Sequence, residues 1–449
     1  MFTTDYKTVE YEGGKIQRVQ SVVFDDWESL KFFRPEYEQE SLDKLHEFYL
    51  MHVVSKAPKL FGRMLLFHVP DDVEFPKELE IKRYGKVSNK QIKAAIAFKK
   101  YFKIDKNKQP VFKNAAIEKF YRTLEERDCA KLACGDLPYT KAMVIGNDYG
   151  MLSRALPGAS FKANASFFIM DCFDVDSMYD VVGTPYGMLI KNGEVLSPPL
   201  FNREALMVRD NNVISIEKPG IKEIPVEING VTLRHGGNAA FLERPETAST
   251  FLGTRVGIAV VGRKVVAVKH GGKMRVPSSG FLIVTSARTV KCNPDDAVVY
   301  KAYPDVKFAI QIGNSLINQG VKTECFISQF YNIKKPFQIS YPPSLYPLNF
   351  SKARAARMGI GATKEGRPIV VWAEGASKTK YVDGVDSTGA SLTEMADLCE
   401  QMGMYTGVNM DGGGSSQIML NGRRSFKISD RNPDNTEAER AIPCGIYCD

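Results

Sequence analysis

An acid held against a run of glycines is the first feature of this chain that could do chemistry. It occurs in Asn409-Met410-Asp411-Gly412-Gly413-Gly414-Ser415-Ser416. Three consecutive glycines lose more backbone entropy on folding than any other triplet, so they point to a positive-φ turn or a close backbone approach to a ligand. Such a loop can present successive amide N–H groups as an anion-binding nest, with hydroxyl donors from Ser415 and Ser416 beside it. The plainer reading is a structural turn in which Asp411 serves as an Asx-type cap.

The flanking residues position this loop. Leu392 to Cys399 has the apolar spacing of an amphipathic helix, and Gly403 ends it. Tyr405 to Val408 reads as a short strand that delivers Asp411 at its end. Gln417 to Leu420 reads as a second strand, closed by the tight turn Asn421-Gly422. Upstream, Val213–Ile216, Gly257–Val261, Val265–Val268 and Gly280–Thr285 are short apolar strands punctuated by Gly, Pro and Asn. The expected fold class is α+β: a mixed or antiparallel β-sheet domain with few helices, preceded by a smaller, helix-containing basic N-terminal region. A boundary at Gly135-Asp136-Leu137-Pro138 divides the chain into residues 1–134 and 135–449.

Several segments taken together resemble the phosphodiester glycosidase family. Asp411-Gly412-Gly413-Gly414-Ser415 matches its Asp-Gly-Gly-Gly-Ser signature. Asn164-Ala165-Ser166-Phe167-Phe168 is similar to its Asn-Gly-Gly-Phe-Phe segment, with both glycines replaced. Gly183–Gly193 resembles the Gly-x-Pro-x-Gly strand and turn, and includes Gly187. Arg357-Met358-Gly359-Ile360-Gly361 keeps the Arg and last Gly of Arg-Thr-Ala-x-Gly. Ser387–Leu392 and Glu439–Pro443 match the segments before the signature helix and at the closing strand. The matches fall in order over residues 135–449.

The resemblance implies a hydrolase that releases a sugar, N-acetylglucosamine-like, from a sugar-1-phosphate diester. Glycoside hydrolysis ordinarily uses two carboxylates about an oxocarbenium-like transition state. A phosphate leaving group departs as a stable anion, so a cation on the phosphate matters more than an acid on the leaving oxygen. Asp411 is then the first carboxylate and Glu374, at the end of Val370-Val371-Trp372-Ala373, the second. Arg357 is the phosphate clamp, because its planar fork suits bidentate binding. The substrate-binding set is Asn164, Phe168, Gly187, Asn409, Gly412, Gly413, Gly414, Ser415, Ser416 and Arg440. For each, a turn, packing or ion-pair role is the structural alternative. The alternative for the domain is a non-catalytic module that binds a glycan, a phosphate or nucleic acid.

Charge and composition bound the remaining functions. The 449 residues carry a net charge of +8, with 44% hydrophobic and 25% charged residues. From Lys82 to Arg122 there are thirteen Lys and Arg against two acids. Amphipathic helices over 89–102 and 115–124 would turn these cations toward nucleic acid or an acidic partner, or simply toward solvent. Helical spacing over 41–51 and a buried strand over 63–69 are also expected. Eight dispersed cysteines suggest buried free thiols rather than a disulfide framework. No metal site is expected: Asp171, Asp174, Asp176 and Asp180 lack the glycine and terminal Glu of an EF-hand loop. No cofactor is expected to be required; a divalent cation is left open as an alternative that no motif supports. No apolar run reaches the roughly 18–20 residues of a membrane span, and the N-terminus lacks a secretory layout. A cytoplasmic protein is expected.

Overall fold

The computed structural model describes residues 1–33, 76–77, 101–106, 110–120, 122–123, 150–168, 185–201, 203–244, 246–247, 249–277, 279–311, 313–323, 354–375, 381–432 and 434–449. The expected helices over 41–51 and 89–102, the strand over 63–69, the boundary near 135 and the acidic run 171–180 lie outside these residues. Of the basic segment 82–122, residues 101–106, 110–120 and 122 are described, and 115–120 are helical.

β-structure dominates. A seven-stranded sheet runs in the order Phe2–Tyr11, Lys15–Phe24, Pro368–Ala373, Arg357–Ala362, Thr406–Asn409, Ser315–Asn318, Val321–Lys322. Its neighbours pair antiparallel throughout. This corrects the expectation for the start of the N-terminal region, which is β rather than helical: residues 2–24 form a β-hairpin that extends the sheet. The alternation in Lys15–Phe24 explains the difference: Val19 and Ser21 face one side, Val22 and Phe24 are sealed in the core, and a ten-residue register with Phe2–Tyr11 fixes the pairing.

One face of this sheet packs Met358, Ile360, Val370, Trp372, Val408 and Met410 against a four-stranded sheet that contributes Phe161, Ala163, Ile418 and Ile446. The other face carries Ile369, Val371 and Ala373 beneath the helix Leu392–Gln401. That helix forms where the spacing placed it. Ser391 caps it, Glu394 completes a capping box, and Gly403 follows at φ +92°. A five-stranded sheet built around Ala205–Arg209 and Val306–Ile310 joins this body to a further four-stranded sheet of Ala239–Glu243, Gly280–Thr285, Val256–Val261 and Lys264–His270. Among the described residues Cys292, Cys399, Cys444 and Cys448 are free thiols. No described helix is long and apolar enough to cross a membrane.

Candidate functional site

Antiparallel register brings the acid and the cation together. Gly359 pairs with Asn409 and Ile360 with Val408, and the Met410 N–H donates to the Met358 carbonyl at 2.7 Å. One step further along the ladder, Asp411 falls across from Arg357, at the sheet end where Thr406–Asn409 finishes and Arg357–Ala362 begins. Arg357 is buried, and its Nε donates to the Ala390 carbonyl at 3.1 Å, just ahead of the helix cap. Burial pulls its guanidinium down to about 10, opposed by the nearby Asp411 charge.

Asp411 is half-buried, and desolvation pushes its carboxyl up to about 7. Arg440, a hydrogen bond from the Ser415 side chain, the Gly412 N–H and Arg357 all favour the ionised form, but they do not cancel the desolvation. The result is a carboxyl that changes charge near neutral pH between two guanidiniums.

The glycine loop is held mostly by its own chain. Asn164 uses both arms of its amide: Nδ2 donates to the Asp411 carbonyl at 2.9 Å and Oδ1 accepts from the Gln417 N–H at 3.0 Å. Asn164 therefore positions the loop by its backbone. The Gly413 N–H donates to the Ala356 carbonyl at 2.8 Å and the Gly412 N–H to the Asp411 carboxyl. These two amides close the loop, so they do not form the open anion nest expected from the sequence. Gly412 is required because a Cβ there would lie 2.7 Å from the Ala356 oxygen, and Gly413 because its φ is +61°. Gly414 packs against an ion pair in which Arg440 binds Asp430 through Nε at 2.9 Å and Nη2 at 2.8 Å. A methyl group on Gly414 would sit 2.1 Å from Asp430 Oδ2. Gly414→Ala is accordingly expected to destabilise by about 1–3 kcal/mol through overpacking and to displace Arg440. Gly413→Ala, strained but sterically open, costs about 1 kcal/mol. Urea unfolding of the two variants checks this order.

Ser415 bonds to Asp411, and Ser416 is fully buried. The Ser416 Oγ and the Asn409 Oδ1 are buried polar atoms that find no hydrogen-bond partner among the described residues.

Glu374 is placed differently from the expected second carboxylate. Its strand neighbour Ala373 pairs with Arg357, so side-chain alternation sends Glu374 to the opposite face. There its Oε2 accepts from Arg18 at 2.9 Å and from the Ser387 hydroxyl at 2.5 Å, and its Oε1 accepts from the Lys427 N–H at 2.9 Å. Gln17 donates to its carbonyl at 2.7 Å. These contacts tie the N-terminal hairpin to the 427–430 segment, where Ser429 reaches the Gly413 carbonyl and Asp430 holds Arg440.

Gly187 and Phe168 are held by packing. Gly187 has φ +97°, and a Cβ there would meet the Gln311 carbonyl at 2.1 Å. Phe168 is buried and bridges to Pro185. The neighbouring Phe167 ring lies 5.8 Å from the guanidinium of Arg203, which burial pulls down to about 9. Sequence reasoning missed Arg18, Ser387, Arg203, Gln417 and Asp430. Only Asp430, in an acid-bearing turn soon after the signature, left a local signal. Among the described residues no group of three His, Cys, Asp or Glu side chains is placed to hold a metal.

Residues 229–448 match the family model for phosphodiester glycosidases. Over 130 residues the chain is 30% identical to the mouse N-acetylglucosamine-1-phosphodiester alpha-N-acetylglucosaminidase and 28% identical to the human protein of that name. Each alignment covers 29% of this chain and 21% of the relative, so the chain spans about a fifth of the length of the curated relatives it matches. A solved structure of a hypothetical protein from Synechocystis superposes with a TM-score of 0.45 at 15% identity, covering 100% of this chain and 62% of that one.

Proposed function

Residues 229–448 belong to the phosphodiester glycosidase family, and from that premise we propose that the chain hydrolyses the bond between C1 of a sugar and the oxygen of a phosphodiester. The sugar is N-acetylglucosamine-like. One observation carries the reading: Asp411, with its carboxyl raised to about 7, stands across the strand register from Arg357.

In this reading Arg357 binds the phosphate, whose negative charge grows as the C1–O bond breaks. Ionised Asp411 stabilises the cationic sugar and takes a proton from the attacking water. The products are the free sugar and a phosphate monoester. Arg440, locked by Asp430, limits how far the Asp411 carboxyl rises. Asn164 and Gly412 fix the direction in which it points. Because chain donors occupy both oxygens of Glu374, one titrating acid carries the reaction, and Glu374 acts as a structural anchor. That engagement also favours the second reading, a binding module that retains the domain without turnover.

The test is incubation with a panel of sugar-1-phosphate diesters that includes UDP-N-acetylglucosamine. Free sugar is the expected product. Release of a sugar phosphate instead would mean that the P–O bond is cut and would overturn the proposal. Saturable binding without any product would establish the binding module.

A further inference from the structure

A second surface lies on the sheet remote in sequence from the signature. From Thr247 to Pro294 the chain has eight Lys and Arg and not one Asp or Glu, which equals the net charge of the whole protein. The fold gathers part of this charge around a single exposed ring. The ribbon strands Ser249–Phe251 and Lys273–Arg275 pair Phe251 with Lys273 and Ser249 with Arg275. Directly opposed residues in an antiparallel pair share a face, and so do residues two apart along one strand. Phe251, Lys273 and Arg275 therefore project together, while Met274 between them is buried. Phe251 is 71% exposed, unusual for a Phe in a strand.

Two further cations border the ring. Lys269 Nζ donates to the Lys273 carbonyl at 3.0 Å, and Arg255 donates from Nη2 to the Phe251 carbonyl and from Nε to the Leu252 carbonyl, each at 3.1 Å. Carbonyl acceptors orient these groups without cancelling their charge. His270, also exposed, follows Lys269 on the strand and pairs with Val256.

We propose that this face binds single-stranded nucleic acid, with the phosphates on Arg255, Lys269, Lys273 and Arg275 and a base stacked on Phe251. Cations interleaved with an exposed aromatic ring are the arrangement that such strands use, since every base offers a flat face and every linkage a charge. An anionic membrane would draw on the same cations, but a single exposed ring buries too little apolar area for insertion. The surface shares no residue with the Asp411 site, and the proposal stands whether or not sugar hydrolysis does.

The experiment is fluorescence anisotropy of the full chain with a labelled thymidine 12-mer, an abasic strand of the same length, and vesicles containing phosphatidylserine. The 12-mer is expected to bind more tightly than the abasic strand, and Phe251→Ala to lose about 5–150-fold of affinity for the 12-mer alone. The double variant K269Q/K273Q is expected to flatten the plot of log affinity against log salt by about 1.4. Circular dichroism confirms that the variants fold. Equal binding of the two strands, an unchanged affinity in Phe251→Ala, vesicle binding alone, or no binding at all would each overturn the proposal.

Discussion

Replacing Asp411 by Asn is expected to abolish sugar release while making the protein more stable above neutral pH. The activity loss is on the order of 10²–10⁴-fold, the usual contribution of a positioned acid or base. The stability gain follows from linkage. Burial pushes the Asp411 carboxyl up to about 7 in the folded chain from its ordinary value of 3.8, so between those values the folded state holds a proton that the unfolded state has released. Stability is therefore fully present below about 3.8 and is lost as pH rises through 7. The Asn variant, always neutral, escapes that loss. After discounting for partial exposure, the difference is on the order of 2 kcal/mol at pH 8. Glu243, buried and also raised to about 7, slopes in the same direction. The Asp411 share is thus read from wild type minus variant. Wild-type activity runs the opposite way and rises with pH through the same window, because the ionised form does the work. Urea unfolding and sugar release at pH 5, 6, 7 and 8 test both curves. Parallel unfolding curves for wild type and variant would show that Asp411 is not desolvated as described.

Glu374→Ala and Glu374→Gln are expected to part company. Alanine removes every acceptor and leaves Arg18, the Ser387 hydroxyl and the Lys427 N–H without the carboxylate that joins them. Breaking a buried pair in this way costs about 3–5 kcal/mol, toward the low end here because Arg18 is 34% exposed. Sugar release falls with it, as the 427–430 segment carrying Asp430 loosens. Glutamine keeps an acceptor for the Lys427 N–H, holds the segment, and retains most of the activity. Were Glu374 a second catalytic carboxylate, both variants would be equally dead. Denaturation midpoints and steady-state rates on the same preparations separate the two roles.

These contrasts show what local sequence reveals and where it stops. The helix Leu392–Gln401 was legible because its cap, its apolar spacing and its terminating glycine lie within a dozen residues. The strand ending at Asn409 and the turn beyond it were legible for the same reason. Fold texture was readable too, since short apolar runs between Gly, Pro and Asn leave few options besides a β-rich domain. The N-terminal hairpin was not, because nothing in residues 2–24 announces the strand Pro368–Ala373 beside which they lie. Glycines 412 and 413 declared that their backbone is special. They could not declare whether their amides face a ligand or their own chain. Glu374 looked like Asp411 in type and in strand-end position. Only side-chain alternation and the position of Arg18 send it to the other face.

The seat of the N-terminal hairpin sets an order of events during synthesis. Arg18 and Glu374 stand 356 positions apart, and at about 5–20 residues per second the ribosome delivers the second some tens of seconds after the first. Throughout that interval Val19, Val22 and Phe24 have no sheet to cover them, although the hairpin turn can close on its own. The last strand, Gly445–Cys448, waits longer still and lands between Lys31–Phe33 and Phe161–Asn164. The N-terminal hairpin thus extends the sheet that positions Asp411, while Gly445–Cys448 joins the four-stranded sheet packed against it, so the two packed sheets reach their native pairing late and together. Strands left unpaired for that long are prone to aggregate, so the yield on expression is expected to respond to co-expressed chaperones more than the final stability does.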